Sequence, residues 1–270
     1  NLEIAPAILG KWFYKMPLIG ALFLIGLILR LVLLQNTPHL SQDFLRFIWD
    51  GHQLLNGYNP YLHLPDEVIT TGASNIPNAA FLHANMGELS SSNYTNYPPL
   101  NQLFFAVASW LGGDSILASV LWMRVFLILA DIGVFIYGIK LLKLLGKPLW
   151  LIALYYLNPF VIVELTGNLH WEGMMAFFLL LAIYYLLVYK KWQSVLFMGY
   201  GILLKLLPVM VLPLLVRKLR FKKAILYYIA VAAVVLMGFT PFISQDLIDK
   251  YGASVGLWFG NFEFNGSVYF

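Results

Sequence analysis

The amino-acid sequence predicts an all-α, polytopic integral membrane protein with a long first outer loop carrying interfacial helices. Three observations predict it. Of 270 residues, 60% are hydrophobic and 11% charged, against about 25% charged in an ordinary soluble domain. The apolar residues gather in long runs. Lysine and arginine gather in some of the intervening loops and not in others, which reads as membrane orientation and not as nucleic-acid binding. The chain has no cysteine, so disulfides and thiolate metal sites are excluded.

The first apolar run, MPLIGALFLIGLILRLVLL, covers residues 16–34 and is about long enough to span. No small-residue cleavage site follows it, so it reads as a span and not as a signal peptide. Lys11 and Lys15 precede it and place its start on the cytoplasmic side. Residues 36–99 then form the first outer, periplasmic loop.

That loop opens on SQDFLRFIWDGHQLLNGYNPY. Ser41 suits an N-cap and Gly57 a terminator, so an amphipathic helix is expected between them. Leu45, Ile48, Trp49 and Leu55 are expected to face lipid. Asp43, Arg46 and Asp50 fall at i, i+3 and i+7, on one face. Spacing alone fits a solvated face with an internal ion pair. It fits equally a carboxylate at the membrane surface that acts as general base, its pKa raised by partial desolvation. The YNPY and NYPPL segments are turn chemistry. Tyr97-Pro98-Pro99 should start the next helix.

The apolar piece at residues 100–112 is too short to cross and is expected on or in the outer interface. Residues 116–139 should cross inward, because Lys140, Lys143 and Lys147 follow. Residues 149–165 should cross outward, and residues 174–189 inward to Lys190 and Lys191. Residues 192–216 have basic clusters at both ends. The expectation is a pair of half-helices that enters and returns, bent near Lys205 and Pro208. Residues 224–239 cross outward, and residues 240–270 form a second outer loop. All of this is one domain, residues 1–270.

This order brings Asp43, Arg46, Asp50, His170, Glu172, Lys205 and Glu263 to the outer face. Lys205 inside an apolar run calls for a partner, such as a bound anion, or snorkels to the interface. Arg30 is expected to snorkel or to meet a lipid phosphate. Arg124 and Asp131 are expected to pair, or to serve other helices. His170-x-Glu172 is a weak metal pattern that lacks the i, i+4 placement. Hydrogen bonding to sugar or phosphate is the other reading of these two residues. No metal ligands are assigned, and a divalent cation is the one cofactor left open.

With these residues in hand, the chain resembles the GT-C superfamily of glycosyltransferases. It is most similar to the bacterial polyprenol-phosphate-mannose-dependent mannosyltransferase-like members, with a looser kinship to the GPI mannosyltransferases. The resemblance rests on Asp43, Arg46, Trp49-Asp50-Gly51, Gly57, Asn59-Pro60-Tyr61, Pro65, Tyr97-Pro98-Pro99, Asn158-Pro159, Glu164, His170, Lys205, Pro208 and Phe264-Asn265. It implies an inverting enzyme of a bacterial inner membrane, with its site facing the periplasm. Its donor would be a polyprenol-phosphate sugar, with mannose expected. The acceptor would be a glycan, lipid or protein. Carried over, Asp43 is the base, and Asp50 and Glu172 support the acceptor or a metal. Arg46, His170 and Lys205 hold the donor phosphate, and Tyr61, Tyr97 and Asn265 contact sugar. Family members usually carry further spans, so the chain is expected to be incomplete at its C-terminus. Two rivals have their own signatures. A transporter or flippase would show a polar path through the midplane. A non-catalytic lipid-binding subunit would transfer no sugar.

Overall fold

The computed structural model describes residues 16–71 and 75–257. Lys11, Lys15, Glu263, Phe264 and Asn265 lie outside the described residues. The described chain is helix and loop, with no strand among the described residues.

The first run forms α1 (Met16–Val32). The first loop supplies α2 (Asp43–Leu55), α3 (Pro65–Thr70), α4 (Ala79–Asn85) and α5 (Glu88–Ser91). Next come α6 (Pro99–Gly112) and α7 (Ile116–Leu144). Proline opens α6, where its missing N–H costs nothing. The Ser115 side chain caps α7 by accepting from the Ala118 N–H.

Residues 149–165, expected to cross outward, are bent in the middle. A 3-10 turn (Leu149–Ile152) runs into α8 (Ala153–Tyr156), and a π-helical turn (Val161–Gly167) follows at 58° to the first limb. Asn158-Pro159 lies at the break. Proline disfavours helical backbone at the residue before it and removes a donor. At the far end of the second limb, the Thr166 and Gly167 carbonyls accept from the Arg124 guanidinium.

The chain continues as α9 (Glu172–Leu187) and α10 (Lys191–Leu204). A 3-10 turn (Leu207–Val211), α11 (Leu212–Leu219) and α12 (Phe221–Phe239) follow. The break falls at Lys205, whose backbone is extended at φ −146° and ψ 144°. Helices α10 and α12 lie side by side and run the same way. The Ser194 and Tyr227 hydroxyls are 2.8 Å apart near their starts. A Cβ on Gly238 would stand 2.6 Å from Leu203 near their ends. The segment between them therefore returns to the side from which α10 began.

By length and composition, α7 and residues Phe221–Phe242 can cross a membrane, and the bent pair makes a third candidate span. Helices α1 and α9 are apolar but shorter.

One core joins α2, α6, α7 and the start of α9, through Phe47, Trp49, Phe105, Met123, Leu127 and Trp171. The Phe47 and Phe105 rings stack at 4.5 Å. The lipid-facing assignment for α2 is thereby corrected. Leu45, Ile48 and Trp49 are at most 5% exposed, and Leu55 alone of the four is open, at 45%. Helix α6 is too short to cross and has a face to bury. The apolar side of α2 covers it. The two approach so closely that a Cβ on Gly51 would meet the Phe105 carbonyl oxygen and Ser109 Oγ, each at 2.5 Å. A second core joins α9 to α12 through Leu186, Met198, Ile202, Leu215, Tyr227 and Val231.

Arg30 does not snorkel. It is fully buried, pairs with Asp131 at 2.7 Å, and donates to the Gly26 and Tyr156 carbonyls. Asp131 also accepts from the Tyr155 and Thr166 hydroxyls. Arg124 donates to the carbonyls of Leu34, Thr166 and Gly167 and makes no pair with Asp131. A charge inside an apolar bundle is expensive unless it is partnered. These two arginines tie α1, α7 and the broken segment together.

Past α12, a 3-10 turn (Thr240–Phe242) and α13 (Leu247–Gly256) fold onto the first loop. Asn59 Nδ2 donates to the Phe242 carbonyl, Lys250 Nζ donates to the Leu62 carbonyl, and Tyr61, Phe242 and Leu247 form a small core. The two segments read as outer loops thus meet on one side.

Candidate active site

An open cavity of about 440 Å³ lies where four pieces of chain meet. They are the start of α2, the strap before α6, the turn before α9 and the break after α10. Asp43, Arg46, Tyr97, His170, Glu172 and Lys205 all line it.

Asp43 is the first residue of α2 and is partly exposed. Gln42, not Ser41, occupies the N-cap, and Ser41 Oγ accepts from the Asp43 N–H at 3.2 Å. One turn on, Arg46 is 5% exposed and held on several sides. Its Nε donates to Asp50 Oδ1 at 2.6 Å, and its Nη1 donates to the carbonyls of Ser90 and Asn93. Its Nη2 makes no hydrogen bond among the described residues. Asp50 is fully buried and also accepts from Gln102 Nε2 at 3.2 Å. Asp50 does not line the cavity; it orients Arg46. Tyr61 is also fully buried, and its hydroxyl donates to the Tyr97 carbonyl at 2.8 Å. Asn265 lies outside the described residues.

On the opposite stretch of chain, Asn168 fastens the turn before α9. Its Nδ2 donates to Glu164 Oε2 at 3.1 Å, and its Oδ1 accepts from the Leu40 N–H at 3.2 Å. Leu169 is fully buried with a left-handed backbone, φ 62°. That conformation is uncommon for a side chain of this size, and such residues concentrate at functional turns. Beyond it, His170 stands between two carboxylates. Its Nε2 is 3.8 Å from Glu164 and its Nδ1 is 3.8 Å from Glu172. Lys205 Nζ is 2.9 Å from Glu172 Oε1 and 5.0 Å from the centre of the Tyr97 ring. Asn101 sets where Lys205 leaves α10, because its Nδ2 donates to the Leu204 carbonyl at 2.6 Å. Burial, followed by the charges of Asp43, Glu172 and Asp50, pushes the Tyr97 phenol well above its ordinary pKa. Tyr97 is therefore a neutral group beside a charged cluster.

The arrangement can receive an anion at Lys205 and Arg46 and take a proton at Asp43. Among the described residues, no three His, Asp or Glu side chains are grouped to hold a metal ion. Reading the sequence did not single out Asn96 or Gln102. The signal for Gln102 was present, since Asn101 and Gln102 are two amides inside the apolar run of α6.

Residues 22–219 match the family model described as MptA_B family, alpha-(1->6)-mannopyranosyltransferase, N-terminal domain. The chain belongs to this family. The match makes it a mannosyltransferase of the GT-C type, as the resemblance of its motifs implies. The matched stretch of this MptA_B-family protein includes every residue that lines the cavity. No curated protein matches the chain, and no solved structure does.

Proposed function

We propose that this MptA_B-family protein moves mannose from a polyprenol-phosphate donor to an acceptor hydroxyl, by inverting displacement, at the periplasmic face of a bacterial inner membrane. One observation carries the reading. A carboxylate, Asp43, shares a cavity with the cations Lys205 and Arg46 at the break between two apolar half-helices. A lipid phosphate sits at headgroup depth, so its sugar must react near such a break.

Asp43 takes the proton of the acceptor hydroxyl. The oxygen attacks the anomeric carbon as the bond from that carbon to the phosphate oxygen breaks. The polyprenol phosphate leaves with both electrons of that bond, and Lys205, Arg46 and His170 face the charge that develops. An inverting step yields the α linkage of the family's description only from a β-linked donor. Glu172 holds Lys205 until the phosphate replaces it. Asp50 supports the step indirectly, through Arg46, and Tyr97 offers a ring and a neutral phenol to the sugar. No step is routed through a divalent cation.

The test is transfer of labelled mannose by the purified protein from a short-chain polyprenol-phosphate mannose to an octyl α-mannoside. Product with an α-(1→6) linkage supports the reading, and absence of transfer refutes it.

A further inference from the structure

The wall of the cavity from Asn93 to Tyr97 is built in a way that donor chemistry does not require. Its side chains are amides, phenols and a hydroxyl, with no charge among them. Its backbone is fastened by side chains. The Asn93 carbonyl accepts from Arg46 Nη1 at 2.9 Å, and the Tyr94 carbonyl accepts from Ser254 Oγ at 2.7 Å. The Asn96 carbonyl accepts from the Tyr251 hydroxyl at 3.5 Å, and the Tyr97 carbonyl from the Tyr61 hydroxyl at 2.8 Å. Lys250 Nζ adds a cation 5.3 Å from the centre of the Tyr94 ring. Backbone carbonyls out of water need partners. Helices and sheets supply them with backbone N–H groups. Here side chains do so, and an irregular strap is held in one shape. The Asn96 side chain makes no hydrogen bond among the described residues, although its residue lines the cavity.

We infer that Asn93–Tyr97 is the wall that reads the acceptor, that it takes an uncharged hexose unit through its hydroxyls, and that α13 is the element that positions it. The inference rests on the transfer reading above. Asn93 Nδ2 already donates to the Leu89 carbonyl and Ser92 Oγ, so the Asn96 amide is the one that matches the paired donor and acceptor of a sugar hydroxyl, and phenol rings cover the sugar's apolar C–H face. A strap fixed beforehand loses little freedom on binding. The acceptor, and not the donor, suits this wall because of what each side of the cavity adjoins. Lys205, Leu206 and Leu207 begin the returning apolar limb, whose Met210 is 75% exposed. That side suits a polyprenyl chain. The strap adjoins α13 at Tyr94 and Asn96, and its Tyr97 end reaches Lys205, 5.0 Å from the ring centre, where the transferred sugar and the acceptor meet.

The experiment is steady-state transfer by the full chain, from polyprenol-phosphate mannose to an octyl α-(1→6)-mannobioside, with each substrate varied in turn. Ser254→Ala removes a fastening, Ser254→Thr restores a hydroxyl, and Asn96→Ala removes a side chain without removing a backbone bond. For each alanine variant, the acceptor KM should rise about 2- to 10-fold, the usual share of one hydrogen bond. The donor KM should stay put, and Ser254→Thr should return toward the parent. Melting temperature checks folding. If Ser254→Ala does not fold, Asn96→Ala decides alone. An unchanged acceptor KM in Asn96→Ala, or a rise in the donor KM instead, overturns the assignment. An inactive parent protein refutes the transfer reading itself, a result distinct from an active parent with indifferent variants.

Discussion

Lys205 Nζ lies 2.9 Å from Glu172 Oε1, so the break after α10 is tied to the first residue of α9. Each side chain is partly open, at 26% and 34%. The pair therefore borders the cavity instead of sitting in the core. The other Glu172 carboxylate oxygen is buried and makes no hydrogen bond among the described residues. On the proposed reading, the donor phosphate takes the place of Glu172 at this lysine.

Lys205→Met should weaken donor binding by roughly 10- to 100-fold, the scale of a charge-assisted hydrogen bond. Glu172→Gln leaves the lysine in place and should leave donor affinity equal or tighter. Titration of a polyprenol phosphate against both variants measures this. Unchanged affinity in Lys205→Met would show that Lys205 serves Glu172 alone.

Asp43→Asn keeps size and hydrogen bonding but cannot accept the proton. Turnover should fall by about 10²–10⁴, the usual share of general-base catalysis. Donor affinity, measured in parallel, should change little. Near-normal turnover in a folded variant would remove Asp43 as the base.

Asp50→Asn should act mainly on stability. The carboxylate is fully buried between Arg46 and Gln102. Removing one charge of a buried pair costs about 3–5 kcal/mol. Chemical denaturation in detergent should show a loss on that scale. A variant as stable as the parent would mean that Arg46 needs no fixed partner.

Gly51→Ala should destabilise by about 1–3 kcal/mol through overpacking, because the new carbon would meet backbone of α6 at 2.5 Å. Backbone cannot step aside as a flexible side chain does. The same substitution at Gly252, where a Cβ meets nothing within 4 Å, is the control.

Cysteines introduced at Ser92 and Lys191 should label from opposite faces of the membrane. Both positions are exposed. The first lies in the loop that lines the cavity, and the second lies at the start of α10, the end remote from Lys205. Labelling of both from one side would contradict the convergence of the first loop with Lys205 on the face opposite the start of α10.

Part of the site is legible in the sequence. A charge and a proline interrupt an apolar run that has basic residues at both ends, which points to a break near Lys205 and Pro208. The chain does turn back there. The order of spans brings Asp43, Arg46, His170, Glu172 and Lys205 near one face, and they line one cavity. Burial within the bundle is not legible. Leu45, Ile48 and Trp49 form an apolar stripe, and periodicity says only that a stripe will be covered. Lipid and neighbouring helices cover it equally well, and here α6 approaches at Ile48 and α4 at Trp49.

The sequence by itself determined helical membrane character, the positions of most helices and the types of charge available. These follow from local composition and from bonds between near neighbours. Only the tertiary structure decided which charges meet. Arg30 could not be matched to Asp131, nor Arg46 to the strap carbonyl of Asn93, until helices packed against one another. The same holds for the wall at Asn93–Tyr97, whose shape comes from Arg46, Tyr61, Tyr251 and Ser254. Such fastenings leave no periodic trace in the chain, because each joins a carbonyl that every residue has to a side chain far away along the sequence.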